Sequence, residues 1–335
     1  MTIAAFGKPA RSVDTVVIPG APLESFDIGY ASHGLYALAD RSNAAVDLID
    51  TRTHRFAGRV AGFTGAQQSG AAGPNGIVVV GNRLWAGDGL SDVKLIDLSS
   101  RRTLATISTG GKHRVDELAY DARDQLVVAA NNADDPPFVS FIAATPPYAV
   151  MRKLPLPQAT NGIEQPVWDA QTQTLLLAVP VLDGHKDDGG IAVIDPATAT
   201  LTRMMHVSQC MPAGLAAGPD HQLLVGCSDD AVDAGFAAKS LLLDARTGHV
   251  TATFAQVGGS DEVWYDAASG RYALAAVANP GGPVLGLIDA KGKRWLGNIH
   301  TGKGAHSVAA EDRQYFAPVA AGDADCPRGC VKIMR

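Results

Sequence analysis

One phrase recurs along this chain and limits what it can become. A short apolar strand ends in Asp and runs into a turn: VDLID at Asp50, VKLID at Asp97, IAVID at Asp195, LLLD at Asp244 and LGLID at Asp289. The interval lies in the high forties, with one double step between Asp97 and Asp195. The missing copy falls at VSFIA, where Ala143 takes the Asp position. A period of this length, built from short strands, is the mark of a β-propeller in which each repeat folds as one four-stranded blade.

Each repeat divides into strands A to D, counted from the central channel outward. Blade two, for example, reads NGIVVV, RLWAGD, DVKLID and TLATIS. The last repeat supplies only HSVAAE, YFAPVA and CVKIMR, while the first apolar strand of the chain belongs to no later blade. The economical solution pairs the two, because closing the ring removes an exposed sheet edge. The expectation is an all-β, seven-bladed propeller occupying residues 1–335 as a single domain. Residues 12–19 form the outer strand of the last blade, 20–300 form blades one to six, and 301–335 form the inner three strands of blade seven.

Composition narrows the partners. The net charge is −6 and the 28 basic residues are scattered, whereas nucleic-acid binding needs a concentrated basic surface. No apolar run approaches the length needed to span a bilayer. The expected partner is a small molecule, bound by a monomer or weak oligomer. The four cysteines fall into two local pairs, Cys210 with Cys227 across a hairpin and Cys326 with Cys330 across a C-P-R-G-C loop. Two such pairs suggest disulfides and a periplasmic or secreted mature protein; reduced thiols in a cytoplasmic protein are the alternative.

The LYALADRSNAAVDLIDTRTH pattern resembles the YVTN-type bacterial propellers over essentially the whole chain. Two short pieces, EQPVWD at Glu164 to Asp169 and PNGI at Pro74 to Ile77, resemble motifs of the SMP-30/gluconolactonase family. That second resemblance implies that Glu164 and Asn75 take part in holding a divalent cation in the channel.

Topology sorts the polar residues further. D-to-A connections and B-to-C loops open on one face of the disc, together with the start of every A strand. Asp27, Asn75, His113, Asp116, Glu117, Asn161, Glu164, Asp261, Glu262 and His306 all fall there. Carboxylates converging on a narrow mouth either take up protons or attract a cation. Glu117, Glu164, Glu262 and His306 are the candidate metal ligands, for one divalent cation among Ca, Mg, Zn, Mn and Fe. His306, His113 and Asp261 are the candidate proton carriers. Asp27, Asn75, Asn161 and Trp85 are candidates for contacting substrate. Trp168 and Trp264, within A strands, are expected to wedge between blades. The chemistry expected is metal-dependent hydrolysis of a lactone-like molecule, or elimination by a lyase. A non-catalytic periplasmic propeller that binds a protein or cell-wall ligand is the alternative.

Overall fold

The computed structural model describes residues 11–67 and 70–335. Seven antiparallel four-stranded sheets follow one another around a ring. The innermost strands, one per blade, are Gly29–Ser32, Ile77–Val80, Leu118–Asp121, Pro166–Asp169, Pro212–Ala217, Ser260–Asp266 and Ala309–Glu311. Six blades are built from consecutive strands. The seventh takes its outer strand, Ser12–Val17, from the other end of the chain and pairs it with Cys330–Met334. The fold is the seven-bladed β-propeller that the repeat implies, closed at the expected seam.

The apolar phrase of the repeat becomes strand C, and its alternation is almost erased by burial. Ala45–Asp50 is buried at all but its last position, whereas the outer strand Arg102–Ser108 shows only two partly covered residues in seven. Strands B and C are covered on both faces by neighbouring blades, so both faces are apolar; strand D meets water on one side. The cores therefore lie between blades. One holds Leu48, Leu84, Ala86 and Ile96 from blades one and two; another holds Leu176, Leu215 and Leu223 from blades four and five.

Every C–D pair carries a register shift one or two residues before the end of strand C or its equivalent, as at Leu48/Ile49, Leu95/Ile96, Val193/Ile194 and Leu287/Ile288. A bulge of this kind increases local twist, and a propeller blade is a strongly twisted sheet. The Asp that ends strand C then organises the following turn. Asp50 Oδ1 accepts from the amides of Arg52 and Thr53 at 3.0 and 2.8 Å, and Asp244 Oδ1 from those of Arg246 and Thr247 at 2.9 and 3.2 Å. This is the Asx-turn chemistry expected of Asp at that position.

Both cysteine pairs are disulfides, Cys210–Cys227 and Cys326–Cys330, which fits an oxidising compartment. Both lie on the face where the A strands begin. No helix among the described residues is long and apolar enough to cross a membrane.

Candidate active site at the channel mouth

The inner strands are short, and the residues just before them carry the polar groups. Backbone pairing to strand B continues past the regular strand and fixes these residues: Asp27, Asp116 and Glu164 donate their amides to Ala39, Ala130 and Ala178 at 2.8–2.9 Å. Two glycines let neighbouring inner strands approach. A Cβ on Gly76 would strike the backbone of Asp116 and Glu117, and one on Gly214 the backbone of Asp261 and Val263. The glycine of the PNGI motif thus serves close packing between blades two and three.

At the mouth lies a cavity of roughly 200 Å3 lined by Asp27, Arg114, Asp116, Glu117, Asn132, Glu164, Asp229, Asp230 and Asp261. Five blades contribute, so the convergence of carboxyls drawn from the repeat pattern is present. Positive charge meets them in part. The Arg114 guanidinium lies 2.8–2.9 Å from both oxygens of Asp116. Arg41 pairs with Asp27, and its Nε donates to Asn75 Oδ1 at 3.0 Å. His306 stacks on Phe26 at 5.0 Å, donates from Nδ1 to the Gly304 carbonyl at 2.8 Å, and sets Nε2 3.5 Å from Asp27 Oδ1.

Charge balance around each group decides its protonation. Burial alone would raise Asp27, but Arg41, His306 and Arg114 overcome it and hold the carboxyl at about 2. Burial alone would lower His306; the hydrogen bond to Asp27 and the field of Asp261 and Asp27 lift it to about 9. Asp261 goes to about 7, because burial outweighs the nearby His306 charge. Glu117, Glu164 and Glu262 are driven well above the ordinary glutamate range, first by burial and then by one another and by Asp116, Asp261 and Asp27. The mouth therefore holds the Asp27–Arg41–His306 and Asp116–Arg114 ion pairs beside glutamates that hold a proton more tightly than usual.

The expected metal ligands are spread along the channel. Glu164 lines the mouth, Glu262 lines a deeper chamber, and Glu117 reaches both. His306 is turned towards Asp27. Among the described residues, no three His, Cys, Asp or Glu side chains are arranged to hold a metal ion.

Other expected site residues stand elsewhere. His113 is exposed, outside the lining of the cavity. Asn161 is on the rim, where it donates to Asp230 at 3.2 Å. Asn75 is fully buried, its amide donating to the carbonyls of Ala72 and Val115 at 3.0 and 2.8 Å, so it positions Arg41 from behind. Trp85 is fully buried between blades two and three with Leu95, Leu118 and Val127; a strand B side chain faces the next blade, not the channel. Trp264 does pack between blades, yet it and Trp168 also line the deeper chamber. Arg41 was not anticipated, and its only signal is its place directly after the strand-end Asp40 in a B-to-C loop. Asn132 and Gln165 were likewise not anticipated.

No protein-family model matches the chain, and no curated protein matches it. Among solved structures it is similar to a chain in a crystal structure of the mitotic checkpoint complex, with a TM-score of 0.73 and 13% identity over 100% of this chain and 94% of that one. It is also similar to Kuenenia stuttgartiensis hydrazine synthase, with a TM-score of 0.69 and 13% identity over 89% of this chain and 92% of that one. At such identity the likeness is one of fold, and it agrees with the blades described above: the chain is a seven-bladed β-propeller.

Proposed function

We propose that the protein is a hydrolase or lyase that acts on a small organic molecule at the channel mouth, in the periplasm or outside the cell. Lactones are the first substrate class to examine, in keeping with the SMP-30-like motifs. The observation that carries the reading is the placement of Asp261 and Arg114 around one cavity of roughly 200 Å3.

The two residues offer complementary chemistry. A carboxyl poised at about 7 can take a proton near neutral pH and return it. In hydrolysis, Asp261 would remove a proton from the attacking water, and the same proton would then pass to the departing alkoxide. In elimination, it would remove the proton α to the carbonyl as the β carbon–oxygen bond breaks, and return that proton to the departing alkoxide. Arg114 supplies fixed positive charge for the oxygen that becomes negative in either case. The Asp27–His306 pair would keep positive charge close by, with Asn75 and Arg41 fixing Asp27.

A divalent cation at Glu117, Glu164, Glu262 and His306 belongs to the proposal as a separate step. It would add Lewis acidity at the mouth. Binding it requires His306 to leave Asp27 and Glu262 to turn from the deeper chamber, so nothing above is routed through it.

The test is turnover of a panel of γ- and δ-lactones and simple esters, followed by proton release, with chelator and then with Ca, Mg, Mn, Zn or Fe added. Hydrolysis or elimination that falls at least a hundredfold in Asp261→Asn supports the reading. A wild-type protein that turns over nothing under any of these conditions removes it. Saturable binding without turnover would point to the non-catalytic propeller.

A further inference from the structure

Beyond the mouth the channel widens again into a second cavity, of roughly 320 Å3, that shares Ile28 and Glu117 with the first. Its walls differ in kind. Tyr30, Tyr120, Trp168, Trp264 and Tyr265, from four blades, line it between aliphatic side chains of the inner strands. All five aromatics are half-buried, and Tyr30 meets Trp264 edge-on at 5.1 Å. A volume of this size suits a small organic ligand.

Three polar side chains, Glu117, Gln165 and Glu262, break the apolar wall. Glu262 is 1% exposed, and among the described residues its Oε1 has no hydrogen-bond partner. Its other oxygen accepts from Gln165 Nε2 at 3.2 Å. The remaining capacity of Gln165 is spent, since its Oε1 accepts from the amides of Leu215 and Val263 at 2.7 and 3.4 Å. A buried acceptor left unsatisfied is costly, and native proteins tolerate it chiefly where something else supplies the donor.

We propose that this chamber is a second binding site, for a small organic amine. The ammonium group donates to Glu262 Oε1, and the apolar body lies against Trp168, Trp264 and Tyr30. Aromatic faces attract a cation as well as cover a hydrocarbon, so one wall serves both ends of such a ligand. A neutral molecule of the same shape would fill the space but forgo the charge-assisted hydrogen bond. The site is independent of catalysis at the mouth, sharing with it the boundary residues Ile28 and Glu117 and the glutamate that a cation would have to recruit.

The experiment is a titration of the full chain, in chelator at pH 7, with benzylammonium and with benzyl alcohol, read by tryptophan fluorescence and calorimetry. Saturable binding of the amine, at least tenfold tighter than the alcohol, is the expected result. Glu262→Gln should erase the preference while retaining the alcohol. Trp168→Ala, a substitution outside the buried core, should weaken both ligands at least fivefold. Glu164→Gln, which alters only the mouth, should leave amine affinity within twofold even if turnover is lost. Should Glu262→Gln fail to fold, the amine-to-alcohol ratio of the native chain and Trp168→Ala decide alone. Equal affinities for amine and alcohol, no saturation, or native affinity in Trp168→Ala would overturn the proposal.

Discussion

Two sets of carboxyls sit at opposite ends of the same blades and behave in opposite ways. The Asp residues that close strand C, such as Asp50 and Asp244, face solvent and accept backbone amides. Asp50 is lowered first by the amide of Thr53, and Asp244 first by the Arg246 side chain. Along the channel, Glu117 and Glu262 are buried and Glu164 and Asp261 half-buried, and desolvation is the leading influence on each, upward. Residue type is shared; the supply of donors and the access of water differ. One set contributes to stability as anions, and the other has its proton affinity tuned.

The sharpest way to break this contrast is Asp261→Asn. If the mouth works by proton transfer, catalytic efficiency should fall by about two to four orders of magnitude, while the melting temperature holds or rises. Unchanged turnover would make Asp261 as inert chemically as the rim residues.

The pH dependence of stability comes next. His306 is raised from 6.5 to about 9, so its contribution is complete below 6.5 and is lost as pH climbs through 9. At most this is worth about 3 kcal/mol by linkage. Asp261, raised from 3.8 to about 7, acts in the same direction: the folded state holds its proton more tightly, so stability drops across that interval as pH rises. Asp27, lowered from 3.8 to about 2, acts oppositely, contributing above 3.8 and losing that contribution as pH falls through 2. The urea midpoint should therefore be higher at pH 5 than at pH 9. A flat profile between those values would show that the mouth is no different from the rim.

Reduction tests the contrast through the backbone. Both disulfides lie on the mouth face. Cys210–Cys227, closing a 17-residue separation, should stabilise the fold by about 3 kcal/mol. Cys210→Ala with Cys227→Ala should lower the denaturation midpoint accordingly; no shift would mean that packing alone holds the mouth. The smallest expected effect is at the rim. Asp50→Ala removes two turn hydrogen bonds and should cost about 1 kcal/mol, visible as a small drop in midpoint with no change in turnover.

The architecture was legible because a strand period repeated in nearly every blade leaves one solution. Even the seam could be read, since a three-strand remainder and an unclaimed first strand complete each other. The site was legible only in part. Loop topology correctly brought Asp27, Asp116, Glu117, Glu164 and Asp261 to one face, because that depends on strand count alone. Which way each side chain turns depends on strand parity and on its neighbours. Trp85 lies one strand too far out and faces the adjacent blade. Asn75 is spent on backbone carbonyls. Glu117, Glu164 and Glu262 were placed around a common point, yet a difference of one or two positions along the inner strands separates them in depth. Arg41 was invisible, because nothing local marks a turn arginine as the partner of a carboxyl on the preceding D-to-A connection.

The seam between the first and last blades has a temporal consequence. Asp27 enters with the first repeat and His306 with the last, and their pair spans the closure that Ser12–Val17 completes. A chain emerging from the ribosome would present Asp27 to Arg41 early but lack its imidazole partner until the seventh blade was made. Assembly of the charged cluster at the mouth is thereby tied to closure of the ring, and an unfinished ring carries an unfinished cluster.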